Sequence, residues 1–527
     1  METADDPFFH VNDRSFTGRS IDLGYHDDRA DQEPKRHHHH HSPAGKLRLP
    51  LEETNRVTSP AHQGLLIGSL DQFSLGDLLM PHVVSRLLHL NRLRCAGLVN
   101  SDFTSIGGHT VLNYGESAIE MIGKDLRLIH VGGETLSQDL TSGYAMASRG
   151  EEAERFSSLL QIGDPTALRH FVRRRTGQVD DFAYLLAGTG QFHGSRSCFH
   201  AVGLSEPETL SDSMRTRLIE ILKEADFVGI RDKSGASFLE NQGVQVERMP
   251  CGLTALDLAC PRRLREALDS AAMTEVKQHY PNGWIAVETS RIPGSGFDRM
   301  VAALGSVAEK ERVGLVFFRA SHRVDPSDQS PPNNKWAEAF RENKAMDFST
   351  QNIWELSSLI THSRLYCGSS LHSRVIAMSA GIPRINLPVG LKSVRSYCDL
   401  WEHDAVQVEL SKEGSDWAMQ LRAAMKVNPF VLQQHTLNLQ RHYFLALEKL
   451  CQKTGLTARF ILSENGDEMT SRPEIQVTEN GFPKRELVVE RRRQASQANA
   501  YRALNRNSSP LTLLGKAIHR IFGKVEM

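Results

Sequence analysis

From Gly64 onward, short apolar runs alternate with stretches of helical periodicity. The segments "HQGLLIGSL", "RCAGLVN", "LRLIHVGGETL", "FAYLLAG" and "ADFVGIRD" read as strands. Between them, "FSLGDLLMPHVVSRLLHL" predicts a loop and a helix, with Leu79, Val83, Val84, Leu87 and Leu88 on one face. "SDSMRTRLIEILKEA" and "KSGASFLENQG" predict further helices. A second series starts near Gly283, with strands in "GWIAVETS", "VGLVFFRAS", "RLYCGS" and "PRINLP". Its helices fall in "GFDRMVAALGSVAEKE", "IWELSSLITHS" and "LHSRVIAMSA". Strand–helix alternation of this kind implies an α/β fold with parallel sheets covered by helices on both faces. The expected organisation is two doubly wound, Rossmann-like domains, 59–275 and 276–410, followed by a helical segment, 411–465.

The flanks differ. Residues 1–58 lack periodicity and are rich in Asp, His, Arg, Pro and Ser, which predicts disorder. They include the run His37–His41, read as low-complexity sequence in preference to a metal-binding tract. Residues 466–527 form a polar tail that ends in a basic amphipathic stretch, "SPLTLLGKAIHRIFGKV". Leu514, Ile518, Ile521, Phe522 and Val525 share one face, while Lys516, His519, Arg520 and Lys524 lie largely on the other. Such a helix either rests on an anionic membrane or docks on protein.

A length of 527 residues is too great for one core, and 40% hydrophobic residues with a formal net charge of -1 describe a soluble globular chain. The balance of charge gives no reason to expect nucleic acid. Seven scattered cysteines without a CxxC pair point to reduced thiols, and neither a disulfide framework nor a zinc site is expected. No apolar signal core or membrane span is visible, so the expected location is cytoplasmic, with peripheral membrane contact open through the last helix.

Chemistry is sought where strands hand over to helices, because open α/β sheets bind ligands at the carboxyl ends of their strands. One such loop runs from Gly68 to Asp77. In it Gly76 permits close backbone approach, and Asp77 either caps the helix or faces a sugar hydroxyl as ligand or base. A second carries Gly132, Gly133 and Glu134. A third begins at Ser369 and Ser370, either of which suits an N-cap, and places His372 in the first helical turn. There the free amides favour an anion, and a neutral imidazole beside it is suited to general acid–base work; the alternative is a histidine tied into the cap. Arg231 ends the strand in "ADFVGIRD", where it either anchors a carboxylate or phosphate or pairs with Asp232 or Asp226.

Taken in order, GSLDQFSLGD, VGGETL, ADFVGIRDKSGASFLENQGV and GSSLHSRVIAMSAGIPRINL resemble the polysaccharide pyruvyl transferases over roughly residues 60–400. The resemblance implies a GT-B-like arrangement of the two domains. It also implies transfer of a pyruvyl group from phosphoenolpyruvate to two hydroxyls of a sugar in a polysaccharide or its lipid-linked precursor, forming a ketal, with no further cofactor and no metal. In that reading His372 is the acid or base, and Arg231 holds the donor's anion. Ser369, Ser370 and Arg374 are the other donor-side candidates, and the Gly76–Asp77 loop lies near the acceptor. The chain departs from the family pattern at Ser370, where many members carry arginine, with Arg374 as the candidate substitute. It departs again at Ser373, and at Pro250–Thr254. A GT-B-like glycosyltransferase using a nucleotide sugar, and a non-catalytic saccharide-binding protein, are the competing readings.

Overall fold

The computed structural model describes residues 62–462 and 475–477, apart from 122–124, 189–191, 291–295, 322–332, 341–344 and 412–415. The expected N-terminal disorder, the histidine run and the basic C-terminal helix lie outside the described residues. Two sheets organise the chain. The first contains β1 (Gln63–Ile67), β2 (Arg92–Gly97), β3 (Ser101–Asp102), β4 (Thr110–Asn113), β5 (Leu126–His130), β6 (Arg196–Val202), β7 (Phe227–Ile230) and β8 (Glu247–Arg248). Their spatial order is β3-β4-β2-β1-β5-β6-β7-β8, and every pairing is parallel except β3 with β4. The second contains β9 (Trp284–Glu288), β10 (Gly314–Phe318), β11 (Ala345–Asp347), β12 (Leu365–Gly368) and β13 (Arg384–Asn386). Its order is β11-β10-β9-β12-β13, parallel throughout.

Both sheets reverse direction once. The first does so between β1 and β5, the second between β9 and β12. At such a switch point adjacent loops leave in opposite directions and open a crevice at the strand ends. The strands read as apolar runs because both faces are covered: Leu65, Leu66 and Ile67 of β1 and Ile285, Ala286 and Val287 of β9 are fully buried.

Five helices position the site: α1 (Leu75–Leu87), α2 (Lys233–Asn241), α3 (Leu371–Ser379), α4 (Lys392–Trp401) and α5 (Pro429–Thr454). Of the residues expected on one face of this helix, Leu79, Val83, Val84 and Leu87 are buried within α1, whereas Leu88 is buried just past its end in extended backbone. α5 leaves the second sheet and returns to the first, where the Tyr443 hydroxyl lies 2.8 Å from His200 Nε2 and the Thr454 carbonyl accepts from Arg127 Nε at 3.0 Å. Among the described residues no helix is long and apolar enough to cross a membrane. All seven cysteines are free and buried.

One expected strand is absent. "FAYLLAG" has only an isolated bridge, Asp139–Phe182, and otherwise no strand pairing. Apart from the Ala183 N–H, which donates to the Gln138 carbonyl at 2.9 Å, its backbone is satisfied largely by side chains. Gln178 donates to the carbonyls of Phe182 and Leu185 at 2.8 and 3.0 Å, Tyr114 donates to that of Ala183 at 2.8 Å, and Leu186 N–H donates to His130 Nε2 at 3.0 Å. The place in the sheet belongs to β6, a strand the apolar pattern did not single out.

His130 and His200 are buried between elements of the first sheet, and burial lowers both to about 4. A base depressed from an ordinary value near 6.5 contributes stability that is present above that value and lost as pH falls toward 4, up to about 3 kcal/mol for each ring. Asp71 runs the other way. Burial raises it to about 6 despite hydrogen bonds from Tyr184, Leu98 and Val99, so acidification relieves a penalty there. The two histidines outweigh the one carboxylate. The melting temperature is therefore expected to fall between pH 7 and 4, and more steeply in Asp71→Asn; scanning calorimetry showing a flat or rising trend would contradict this.

Candidate active site

The loop after β1 ends at Ser74, the N-cap of α1, and the Leu75 N–H donates to the Ala320 carbonyl at 2.8 Å, tying this turn to the second sheet. Asp77 follows in the first turn, 1% exposed, and its Oδ2 accepts the Ser69 hydroxyl at 2.8 Å. After β5 the chain passes through Gly132, whose φ of 102° is open to glycine but not to L side chains without strain. Glu134 comes next. Its Oε2 accepts the amide and hydroxyl of Ser205 at 2.7 and 2.9 Å, and its Oε1 accepts from Arg231 Nη2 at 3.2 Å.

Arg231 leaves the end of β7 and is 2% exposed. Burial works against its charge, yet the carboxylate of Glu134 and its other acidic neighbours hold its pKa above the ordinary value. Its carbonyl accepts Trp401 Nε1 at 2.7 Å, which links it to α4. Neither Asp232 nor Asp226 takes the guanidinium. Asp232 caps α2, accepting Gly235 N–H and Leu204 N–H at 2.8 Å each, and Asp226 pairs with Arg196.

The second sheet supplies His372. Ser370 is the N-cap of α3, its hydroxyl accepting Ser373 N–H at 3.2 Å, and His372 is the second residue of the helix. Arg231 Nη1 donates to His372 Nε2 at 2.8 Å. A guanidinium has no lone pair to accept with, so Nε2 is the acceptor and the ring's proton sits on Nδ1. Nδ1 faces Asp77 Oδ1 at 3.9 Å. Two glycines make this convergence sterically feasible. A Cβ on Gly76 would lie 2.1 Å from the His372 ring. One on Gly133 would lie 3.7 Å from Arg231 Nη2, 3.8 Å from His372 Cε1 and 4.0 Å from Asp77 Oδ1, so Gly133 sits among all three. Gly76, Asp77, Gly132, Gly133, Glu134, Arg231 and His372, distant in sequence, thus share one location at the switch points of both sheets.

Three donor-side candidates have other partners. Arg374 is fully buried and directed away, donating to Glu402 Oε2 at 2.6 and 3.1 Å, Asn386 Oδ1 at 2.6 Å and the Val408 carbonyl at 2.9 Å. The Ser369 amide and hydroxyl and the Ser370 amide all donate to Glu288 Oε2, at 2.9, 2.9 and 3.0 Å. Glu288 did not stand out in the sequence. The one visible signal is an acid closing the apolar strand "WIAVE".

Two Rossmann-like sheets whose switch-point loops meet at one polar cluster define a GT-B-like α/β protein. A family model described as polysaccharide pyruvyl transferase matches residues 76–390, which holds every residue of the cluster. The chain belongs to that family. No curated protein matches the sequence. Similar solved structures include the UDP-GlcNAc 2-epimerase of Neisseria meningitidis bound to UDP-GlcNAc, at 11% identity over 74% of this chain and 100% of that one, with a TM-score of 0.43. Another is the UDP-GlcNAc 2-epimerase of Methanocaldococcus jannaschii, at 10% identity over 70% of this chain and 94% of that one, with a TM-score of 0.39. Likeness this loose says nothing about chemistry.

Proposed function

We propose that this chain transfers the pyruvyl group of phosphoenolpyruvate to two hydroxyls of a saccharide, free or lipid-linked, giving a cyclic ketal and phosphate. The observation that carries the reading is the Arg231–His372 contact, a buried cation against an imidazole at the meeting of two switch points. The family match gives the reaction class.

The steps use what the cluster contains. The donor's carboxylate or phosphate takes Arg231 away from His372 Nε2, leaving that nitrogen free to exchange protons. Nε2, bare in the resting tautomer, takes a proton from solvent once Arg231 has left, and its delivery to the methylene carbon of the enol leaves an oxocarbenium-like centre at the carbon bearing the phosphate. One sugar hydroxyl bonds to that carbon and releases its proton, which balances the one delivered. The C–O bond to phosphate then breaks, and a second hydroxyl closes the ring, its proton leaving with phosphate. His372 is the proton carrier, with Asp77 facing its Nδ1. Gly133, without a side chain, leaves room beside the reacting carbon.

Calorimetric titration of phosphoenolpyruvate tests the donor. Saturable binding is expected in the wild type, weakened by roughly 10- to 100-fold in Arg231→Ala, the effect of losing charge-assisted hydrogen bonds. Arg231→Lys is expected to recover only part of it, because a point charge cannot replace a planar fork. Equal binding by wild type and Arg231→Ala would place the donor elsewhere.

A further inference from the structure

Glu288 ends β9 and is fully buried, behind the apolar residues Trp284, Ile285, Ala286 and Val287. A buried carboxylate must be matched by donors, and here four are supplied. Its Oε2 accepts the Ser369 amide, the Ser369 hydroxyl and the Ser370 amide at 2.9, 2.9 and 3.0 Å, and its Oε1 accepts the Ser290 amide at 2.8 Å. Gly368 makes the space, since a Cβ there would lie 2.5 Å from that of Glu288. The amides of Ser369 and Ser370 lead into α3, at the positive end of its dipole. β9 and β12 flank the switch point of the second sheet. This is the place where a doubly wound sheet offers amides to the phosphates of a nucleotide.

We propose that Glu288 is a specificity-determining residue, a built-in anion that occupies the phosphate position of the second sheet and so refuses nucleoside diphosphates. The amides before α3 are already spoken for, and a phosphate brought to them meets a carboxylate of its own sign. The anion of the true donor is thereby left to Arg231, across the cluster. The inference rests on the pyruvyl-transfer reading only for that donor's identity. The exclusion itself rests on the four hydrogen bonds.

The test is calorimetric titration of UDP, and separately of inorganic pyrophosphate, into wild type, Glu288→Ala and Glu288→Ser, with circular dichroism to confirm folding. Wild type is expected to show no saturable UDP binding up to about 1 mM. Each folded variant, with the carboxylate gone and its donors open, is expected to bind UDP or pyrophosphate at least ~10-fold more tightly than wild type. Micromolar UDP binding by the wild type would overturn the proposal, as would folded variants with no gain for either ligand. If neither variant folds, the wild-type titration still decides: binding refutes the plug, and its absence supports it. Phosphoenolpyruvate takes no part in these titrations, so their failure and the failure of the donor assignment are separate results.

Discussion

Alanine at position 76 is expected to stop pyruvyl transfer about as completely as alanine at position 372, a loss of roughly 100- to 10,000-fold in turnover, the usual contribution of a general acid–base group. The reason is steric. A Cβ on Gly76 would lie 2.1 Å from both Cγ and Nδ1 of His372 and 2.4 Å from its Cβ, so the ring cannot remain. The backbone does not oppose the change. Gly76 lies in the first turn of α1 and is not among the positive-φ residues, and alanine is ordinarily worth about 1 kcal/mol over glycine inside a helix. A double-mutant cycle separates displacement of His372 from general damage. Once His372→Gly has removed both the ring and its Cβ, Gly76→Ala should lower turnover no further. Turnover above half of the wild-type rate in Gly76→Ala alone would show that the position of His372 against α1 is not needed.

Glu402→Gln is expected to be the most destabilising single substitution in the second half of the chain, by about 3–5 kcal/mol, the cost of removing one partner from a buried ion pair. Here one carboxylate serves two guanidinium groups. Arg374 donates to it at 2.6 and 3.1 Å and Arg384 at 2.6 and 2.9 Å, and both arginine side chains have zero exposure. Burial alone would raise the carboxyl. The pull of Arg384 and Arg374 is stronger and holds it at about 2. Its contribution is therefore complete above the ordinary glutamate value, near 4.5, and is lost only as pH falls through 2. Urea denaturation at pH 7 should show the full loss. Replacing Arg374 and Arg384 by Met together with Glu402 by Leu should recover most of it, because no charge is then stranded. Arg374→Met alone should lose stability while leaving the apparent affinity for phosphoenolpyruvate unchanged, whereas a weakened donor affinity would return Arg374 to the donor site.

How far the sequence reached follows from what each signal measures. Apolar runs report burial on both faces, so β1, β5, β7, β9 and β12 were legible, and with them the parallel-sheet class. The same signal misreads "FAYLLAG", which is buried but hydrogen-bonded by Gln178, Tyr114 and His130, because hydrophobicity does not say where backbone groups find partners. The site residues at strand ends were legible for a topological reason, since a glycine, an arginine or a helix-capping serine there marks the edge of a crevice. Their pairings were not. The acids nearest Arg231 in sequence are Asp232 and Asp226, but its partners are Glu134 and His372, 97 and 141 residues away. Arg374, two residues beyond His372, lies on the other side of α3 and meets Glu402, a contact that only the packing of α3 against the residues following α4 creates.

The return of α5 to the first sheet sets the order in which the nascent chain can be completed. β1 to β8 are synthesised by residue 248, but the helix that supplies Tyr443 beside His200 and the Thr454 carbonyl for Arg127 ends at 454. At translation rates of about 5–20 residues per second, the interval is roughly 10–40 s. For that time the surface that α5 will cover, including the imidazole of His200, is open to water and to other chains. Ribosome-bound fragments ending before Asn428 should accordingly recruit holdase chaperones that the released full-length chain does not.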